Sequence, residues 1–359
     1  MPIGRVSSPD EPSGQSGQSG QPGWLDGATS RTRPSPLPGA SASSSVTIAE
    51  RPAGARSDHA ATHRSQLSSR LVVPAYKGAA VIARALPAPL AEAVGRGLGA
   101  VLSYTMRDRR AIVERHQRRI ATGPMSEREL DRQVRRTFDS YARYWVDAFR
   151  LTGRSTEAID AGIDASGAHH VDEALALGKG AILAMPHVGA WDYGGAWVAH
   201  HWPLTVVAER LEPPALFDWF CQQRAANRMR VVALSPEASP VLLRALRANE
   251  VLGLLCERDI AGGGVEVEFF GERTTFPAGP ATLSLRTGAP ILPNAAFQNA
   301  RRVRGEIRPP LVYERTGTLR ADVQGLTQLL AREFESLIRQ APEQWHVLQP
   351  LWPSDHPSS

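Results

Sequence analysis

His187 and Asp192 stand five positions apart in the stretch AILAMPHVGAWD, Ala181 to Asp192. A histidine oriented by a carboxylate is the usual way to make a general base for a hydroxyl, since the carboxylate fixes the tautomer and stabilises the imidazolium that forms. On one regular helix a five-residue step turns the second side chain about 140° from the first. The pair can therefore meet only across a strand-to-helix turn, which Gly189 and Ala190 are small enough to build. The alternative is an Asp192 that caps a helix beside an unrelated, hydrogen-bonded histidine, and HxxxxD alone does not choose between them.

A second set of candidates closes the stretch VLGLLCERD with Glu257, Arg258 and Asp259. Cys256 beside them is a nucleophile in one reading and an inert residue of a buried strand in the other, and the second is preferred. No GxSxG elbow argues for an acyl-enzyme. The glycines Gly262 to Gly264 lack the GK[ST] of a phosphate-binding loop. His169-His170 and His200-His201 are adjacent pairs, expected to point apart, so no metal site is expected.

The elements that must position these residues follow from hydropathy. AILAM is a short apolar run bounded by Gly180 and Pro186, the pattern of a strand buried on both faces. Further strands are expected at Leu204 to Arg210, Arg230 to Leu234, Val251 to Asp259 and Pro290 to Gln298, with helices between them. Such alternation implies an α/β fold with a mostly parallel central sheet flanked by helices. VEVEFFGE alternates like a β-ribbon, RVRGEIRPPLVY extends the sheet, and Val323 to Gln340 is an amphipathic helix. His187 then lies at a strand's C-terminal end, the sheet edge where open α/β folds bind ligands.

Upstream, a helical lobe is expected over 71–151, ahead of an α/β core over 171–353 within one domain. Leu71 to Leu102 reads as two helices broken at Pro87 and Pro89, most simply core helices and otherwise an amphipathic pair resting in a lipid interface. The arginine-rich run TMRDRRAIVERHQRRI is either a solvated helix face or a contact for acidic head groups. Ser126 with Glu129 resembles a capping box, opening a helix whose stripe of Phe138, Tyr141, Tyr144, Trp145 and Phe149 is most simply core. Residues 1–70, rich in Gly, Pro, Ser and Arg, are expected to be a disordered tail.

The 359 residues carry a formal charge of +5, and the basic residues are arginine except Lys77 and Lys179. Arginine suits phosphate and carboxylate, so anionic lipid and coenzyme A phosphates are candidate partners. A nucleic-acid partner is not expected, because the basic run has no interleaved aromatics and no known motif. The two cysteines, Cys221 and Cys256, form no CxxC pattern. No signal peptide and no spanning helix are expected.

PHVGAWD, VVAER, CERD followed by GVEVEFFGE, FPAGPATLSLRTGAPILP and APEQWHVLQPLW, in that order, resemble the bacterial lysophospholipid acyltransferase superfamily of the lipid A biosynthesis acyltransferase type. Within it they resemble the actinobacterial branch that acylates phosphatidylinositol mannosides. The resemblance spans Val72 to Trp352. It implies transfer of a long-chain acyl group, palmitoyl by expectation, from acyl-CoA to a mannose hydroxyl, without a cofactor, by a peripheral enzyme at the cytoplasmic face of the cell membrane. The implied partners are acyl-CoA, a phosphatidylinositol mannoside glycolipid and an anionic membrane surface.

The resemblance also implies roles. His187 acts on the hydroxyl with Asp192 and Glu257 as carboxylate partners, Glu257 preferred and Asp192 then holding the turn. The alkoxide attacks the thioester and the coenzyme A thiolate leaves, with backbone N–H groups near Gly189 as oxyanion donors. Arg224, in FCQQRAANR, falls near the donor; Arg258, Gly263 and Arg286 are further expected substrate contacts. At Gly263 or Gly264, and at Arg286, the chain departs from the usual residue types of the family.

Overall fold

The computed structural model describes residues 58–355 except Arg301, with the backbone alone described for residues 58–70 and Ala88. The expected tail over residues 1–57 lies outside the described residues. From Asp58 the chain is already helical, inside the stretch assigned to that tail.

Four helices come first: α1 (Asp58–Ala85), α2 (Ala88–Thr105), α3 (Arg107–Ile120) and α4 (Glu127–Leu151). α4 opens on the expected capping box, Ser126 accepting from the Glu129 backbone while the Glu129 carboxylate accepts from the Ser126 N–H. α2 lies on α4 through small residues: Ala91, Gly95, Gly99 and Ser103 are buried. A Cβ on Gly99 would meet the Asp139 backbone at 2.6 Å. The large apolar residues Leu90, Val94, Leu98 and Val101, at helical spacing on the other side, are 43–57% exposed. The core reading of this helix is therefore corrected, because its small side is what lets the two backbones approach.

Arg107 and Arg118 of the arginine run are exposed, as a solvated face would have them, but other arginines of the run face the protein. α3 is clamped to the C-terminal segment. Arg119 sits over the Trp352 ring at 4.4 Å and bonds Glu272 and Asp355, and Arg109 donates to the Leu348 carbonyl. Buried Asp355 accepts from His116 Nε2 at 2.9 Å, Arg115 Nε at 3.2 Å and the N–H groups of Leu351 and Trp352. Burial works to raise its pKa, but these donors outweigh burial and hold the carboxyl below the usual range. An acid whose pKa is depressed on folding adds stability above its unfolded pKa and loses it as pH falls through the folded value. Asp355→Ala, which strips the mostly buried Arg119, His116 and two backbone N–H groups of their acceptor, is expected to cost about 3 kcal/mol in denaturant unfolding at neutral pH. The difference from wild type should narrow as the pH is lowered below the ordinary carboxylate range.

The rest of the chain winds one sheet. In order it runs α5 (Thr156–Asp160), β1 (Ile163–Ser166), α6 (His169–Ala176), β2 (Ala181–Met185), α7 (Trp191–His201), β3 (Leu204–Ala208) and α8 (Pro214–Ala225). β4 (Arg230–Ala233), α9 (Ala238–Arg247) and β5 (Val251–Leu255) follow. β6 (Val265–Phe269) and β7 (Glu272–Phe276) form a separate antiparallel hairpin. α10 (Gly279–Thr287), β8 (Ile291–Phe297), β9 (Val303–Ile307) and α11 (Leu319–Arg339) complete the order.

The seven-stranded sheet has the order β1-β9-β8-β2-β5-β3-β4, parallel except where β9 returns against β8. This is the expected mostly parallel α/β architecture, with helices on both faces. β2, every residue of which but Met185 is buried, lies between β5 and β8. β1 is too short and too polar, IDAS, to have been read from hydropathy.

Candidate active site

The register of the central strands brings the site together. Met185 of β2 pairs with Leu255 of β5, and His187 and Glu257 each lie two residues beyond their strand's end. Glu257 is completely buried. Its carboxylate lies 2.9 and 3.0 Å from His187 Nδ1 and also accepts from the His187 backbone N–H at 2.6 Å and Trp345 Nε1 at 3.1 Å. Burial pushes the Glu257 pKa up, but the charge and hydrogen bonds of His187 outweigh burial and lower it. A carboxylate can only accept, so the His187 proton sits on Nδ1 and Nε2 is left as the base.

The turn between β2 and α7 is built as the spacing requires. Gly189 has φ +64° and donates to the Gln344 carbonyl, and a Cβ there would meet the Ala296 carbonyl oxygen at 2.3 Å. Only glycine fits both the left-handed backbone and that approach.

Asp192 falls elsewhere than expected. It makes no cap for α7. Its carboxylate receives Arg224 Nε at 2.9 Å and Nη2 at 3.2 Å, and the Tyr144 hydroxyl at 2.6 Å. The expectation that Asp192 orients His187 is thus corrected: the step across the turn points it toward α4 and α8, where two donors occupy it. Burial works to lower the Arg224 pKa and the facing Asp192 reverses this, holding the guanidinium charged. Burial and the same carboxylate push the Tyr144 hydroxyl well above its ordinary value.

His187, Asp192 and Arg224 line one cavity of about 550 Å³, whose walls are mainly aliphatic and aromatic side chains of the strand ends, α8, α9 and α10. Arg258 and Arg286 line it too, Arg258 standing 3.6 Å from Glu209. Gly263 is not among its lining residues; it sits in an exposed turn where a Cβ would meet nothing. Cys256 is buried, and burial followed by the neighbouring Glu257 charge pushes its thiol well above the ordinary value, so it stays protonated.

Three residues of the site were missed in sequence. Tyr144 belongs to the stripe expected as core, although a polar-tipped aromatic in such a stripe signals a hydrogen-bonding partner nearby. Trp345 and His346 sit in APEQWHVLQPLW, a block that carries the resemblance but no expected site residue. His346 is buried, lines the cavity, and is held neutral by burial and by the nearby His187, its pKa lowered to about 3. The expectation that adjacent histidines point apart fails at His169-His170. Their ring centroids lie 4.0 Å apart, His170 bonds Glu173, and the three side chains bring ligand atoms within 4.8 Å of one another.

The arrangement offers a histidine base held by a buried carboxylate, a fixed cation and an apolar cavity, the requirements for acyl transfer from an apolar donor to a hydroxyl. The family model of the bacterial lipid A biosynthesis acyltransferases matches residues 59–354. The chain belongs to that family. Among its curated relatives this acyltransferase is 36% identical, over 76% of its own length and 89% of theirs, to a Mycolicibacterium smegmatis protein named phosphatidylinositol mannoside acyltransferase. It is 40% identical to proteins of the same name from two strains of Mycobacterium tuberculosis, over 61% of this chain and 70% of theirs. An O-acyltransferase needs a base for the acceptor hydroxyl, and His187 held by Glu257 has the geometry of one.

Proposed function

We propose that this acyltransferase moves a long-chain acyl group, palmitoyl by preference, from acyl-CoA to a mannose hydroxyl of phosphatidylinositol mannosides at the cytoplasmic face of the cell membrane. The observation that carries the reading is the His187–Glu257 dyad at the wall of an apolar cavity, in a chain whose relatives bear that name. Nε2 of His187 takes the proton of the sugar hydroxyl as its oxygen attacks the thioester carbon; the C–S bond breaks and the coenzyme A thiolate leaves with the electron pair. A thioester is activated enough for direct attack, so no covalent enzyme intermediate enters. Arg224, Arg258 and Arg286 supply positive charge along the cavity for the anionic donor.

Residence at the membrane surface is supported by α2, which buries its small residues and exposes its large apolar ones, in a chain of net charge +5. No helix among the described residues is long and apolar enough to cross a membrane. The test is product mass spectrometry with palmitoyl-CoA and a panel of mannosylated phosphatidylinositols, lysophospholipids and lipid A precursors in anionic vesicles. Acylated mannoside from wild type and none from His187→Ala is expected, and Val94→Glu with Val101→Glu should release the protein from the vesicles. Transfer only to another acceptor would overturn the reading.

A further inference from the structure

His346 stands beside the base. Val188 and Trp345 form an antiparallel bridge, and the His346 N–H donates to the His187 carbonyl at 2.8 Å. His187 and His346 are therefore opposite one another across two paired segments, and opposite residues of an antiparallel pair present their side chains to the same face. Both line the cavity. Trp191 lies with its ring 5.4 Å from each of the two imidazoles.

The surrounding bonds fix the tautomer of His346. Gln298 Nε2 donates to the Ser140 carbonyl at 3.2 Å, which sets the amide so that Oε1 is an acceptor; the Ser140 hydroxyl donates to that Oε1 at 2.9 Å. With its one proton committed, Ser140 Oγ can only accept from His346, whose Nε2 lies 2.8 Å away. Gln298 is held in turn by reciprocal bonds with Gln344. The proton of the neutral ring is thus on Nε2, and Nδ1 carries a lone pair. Nδ1 is buried and has no hydrogen-bond partner among the described residues. A buried acceptor without a donor is costly, and at the wall of a cavity a bound molecule is able to supply the missing bond.

We propose that His346 Nδ1 accepts a hydrogen bond from a hydroxyl of the acceptor next to the one that His187 deprotonates, so that His346 is a positioning residue for the sugar. Reaching Nδ1 requires a shift of the packing around it, where Trp191 is the aromatic ring nearest His346. A mannose offers several hydroxyls on adjacent carbons, so the neighbour of the reacting one is within reach, whereas a bond from a pantetheine N–H of the donor would show as a raised KM for acyl-CoA in His346→Gln. The inference rests on the proposed sugar acceptor.

The test is a cycle between enzyme and substrate. Wild type and His346→Gln, matched for thermal unfolding, are assayed with the mannosylated lipid and with analogues in which one mannose hydroxyl at a time is replaced by hydrogen. Gln reaches Ser140 with an amide N–H but places no acceptor at the Nδ1 position. One analogue should lower wild-type kcat/KM about 10- to 100-fold and cost His346→Gln nothing further. KM for acyl-CoA should be unchanged, and His346→Asn, which restores a carbonyl near Nδ1, should recover part of the loss. Nitrogen-15 spectra of labelled histidine in wild type should show His346 protonated at Nε2. A His346→Gln enzyme as active as wild type, equal sensitivity of both enzymes to every analogue, or a ring protonated at Nδ1 would overturn the inference. Wild type that acylates none of the mannosylated lipids would instead overturn the proposed function and the sugar assignment with it.

Discussion

Glu257→Gln is expected to lower turnover by about 10³- to 10⁴-fold, measured as acyl transfer at saturating substrates. The loss does not come from misfolding. The amide oxygen of a glutamine can still accept from the His187 N–H and Trp345 Nε1, which now bond Glu257 Oε1. The amide nitrogen is then directed at His187 Nδ1, where Glu257 Oε2 now accepts at 2.9 Å. An N–H facing Nδ1 demands the lone pair of that nitrogen, so the histidine proton moves to Nε2, the atom that has to take the proton of the hydroxyl. The base is lost while the cavity keeps its shape. Binding of the proposed donor acyl-CoA should persist in this variant, and near-normal turnover would sink the dyad assignment.

Asp192→Ala is expected to act through a different route, with the dyad intact. Removing the carboxylate strands the Arg224 guanidinium and the Tyr144 hydroxyl, both of which it now receives at hydrogen-bond distance. Side chains here are 14–21% exposed, so the stability loss should fall at the lower end for a broken buried pair, about 3 kcal/mol in denaturant unfolding. The released arginine no longer holds one position in the cavity wall. The KM for acyl-CoA should rise about ten-fold or more, on the scale of one lost charged hydrogen bond, with kcat changed less. Tyr144→Phe, which keeps the 3.9 Å stack on Trp191 and removes one bond to Asp192, should show a weaker version of both effects. A collapse of kcat with KM unchanged in Asp192→Ala would instead show that Asp192 serves His187.

These two variants separate carboxylates that look equivalent in the sequence. Asp192 is near His187 along the chain and Glu257 is seventy positions away, yet it is the distant one that holds the histidine. Neighbourhood in sequence carries a residue across a turn, and the turn at Gly189 sends Asp192 onto the first turn of α7, facing α4 and α8. Register decides the rest: two adjacent parallel strands paired Met185 with Leu255 end at the same level, so residues two beyond each end meet. The same logic explains the helical lobe. The composition of α2 showed that it was apolar, but not which side faced the protein, because both a small-residue stripe and a large-residue stripe run along it at the same spacing.

The sequence by itself determined the α/β alternation, the strand ends that carry His187 and Glu257, the capping box at Ser126 and the need for a small residue in the turn, because each is a property of a short stretch. Family membership was also legible, in ordered blocks spread over the α/β part. Only the tertiary structure decided which carboxylate holds His187, that Asp192 holds Arg224 and Tyr144, that Arg109, Arg115 and Arg119 of α3 clamp the C-terminal segment, and that His346 stands opposite His187. Each of these joins residues far apart in the chain through strand register or helix packing. Such contacts are fixed by how whole elements stack, and no local periodicity records them.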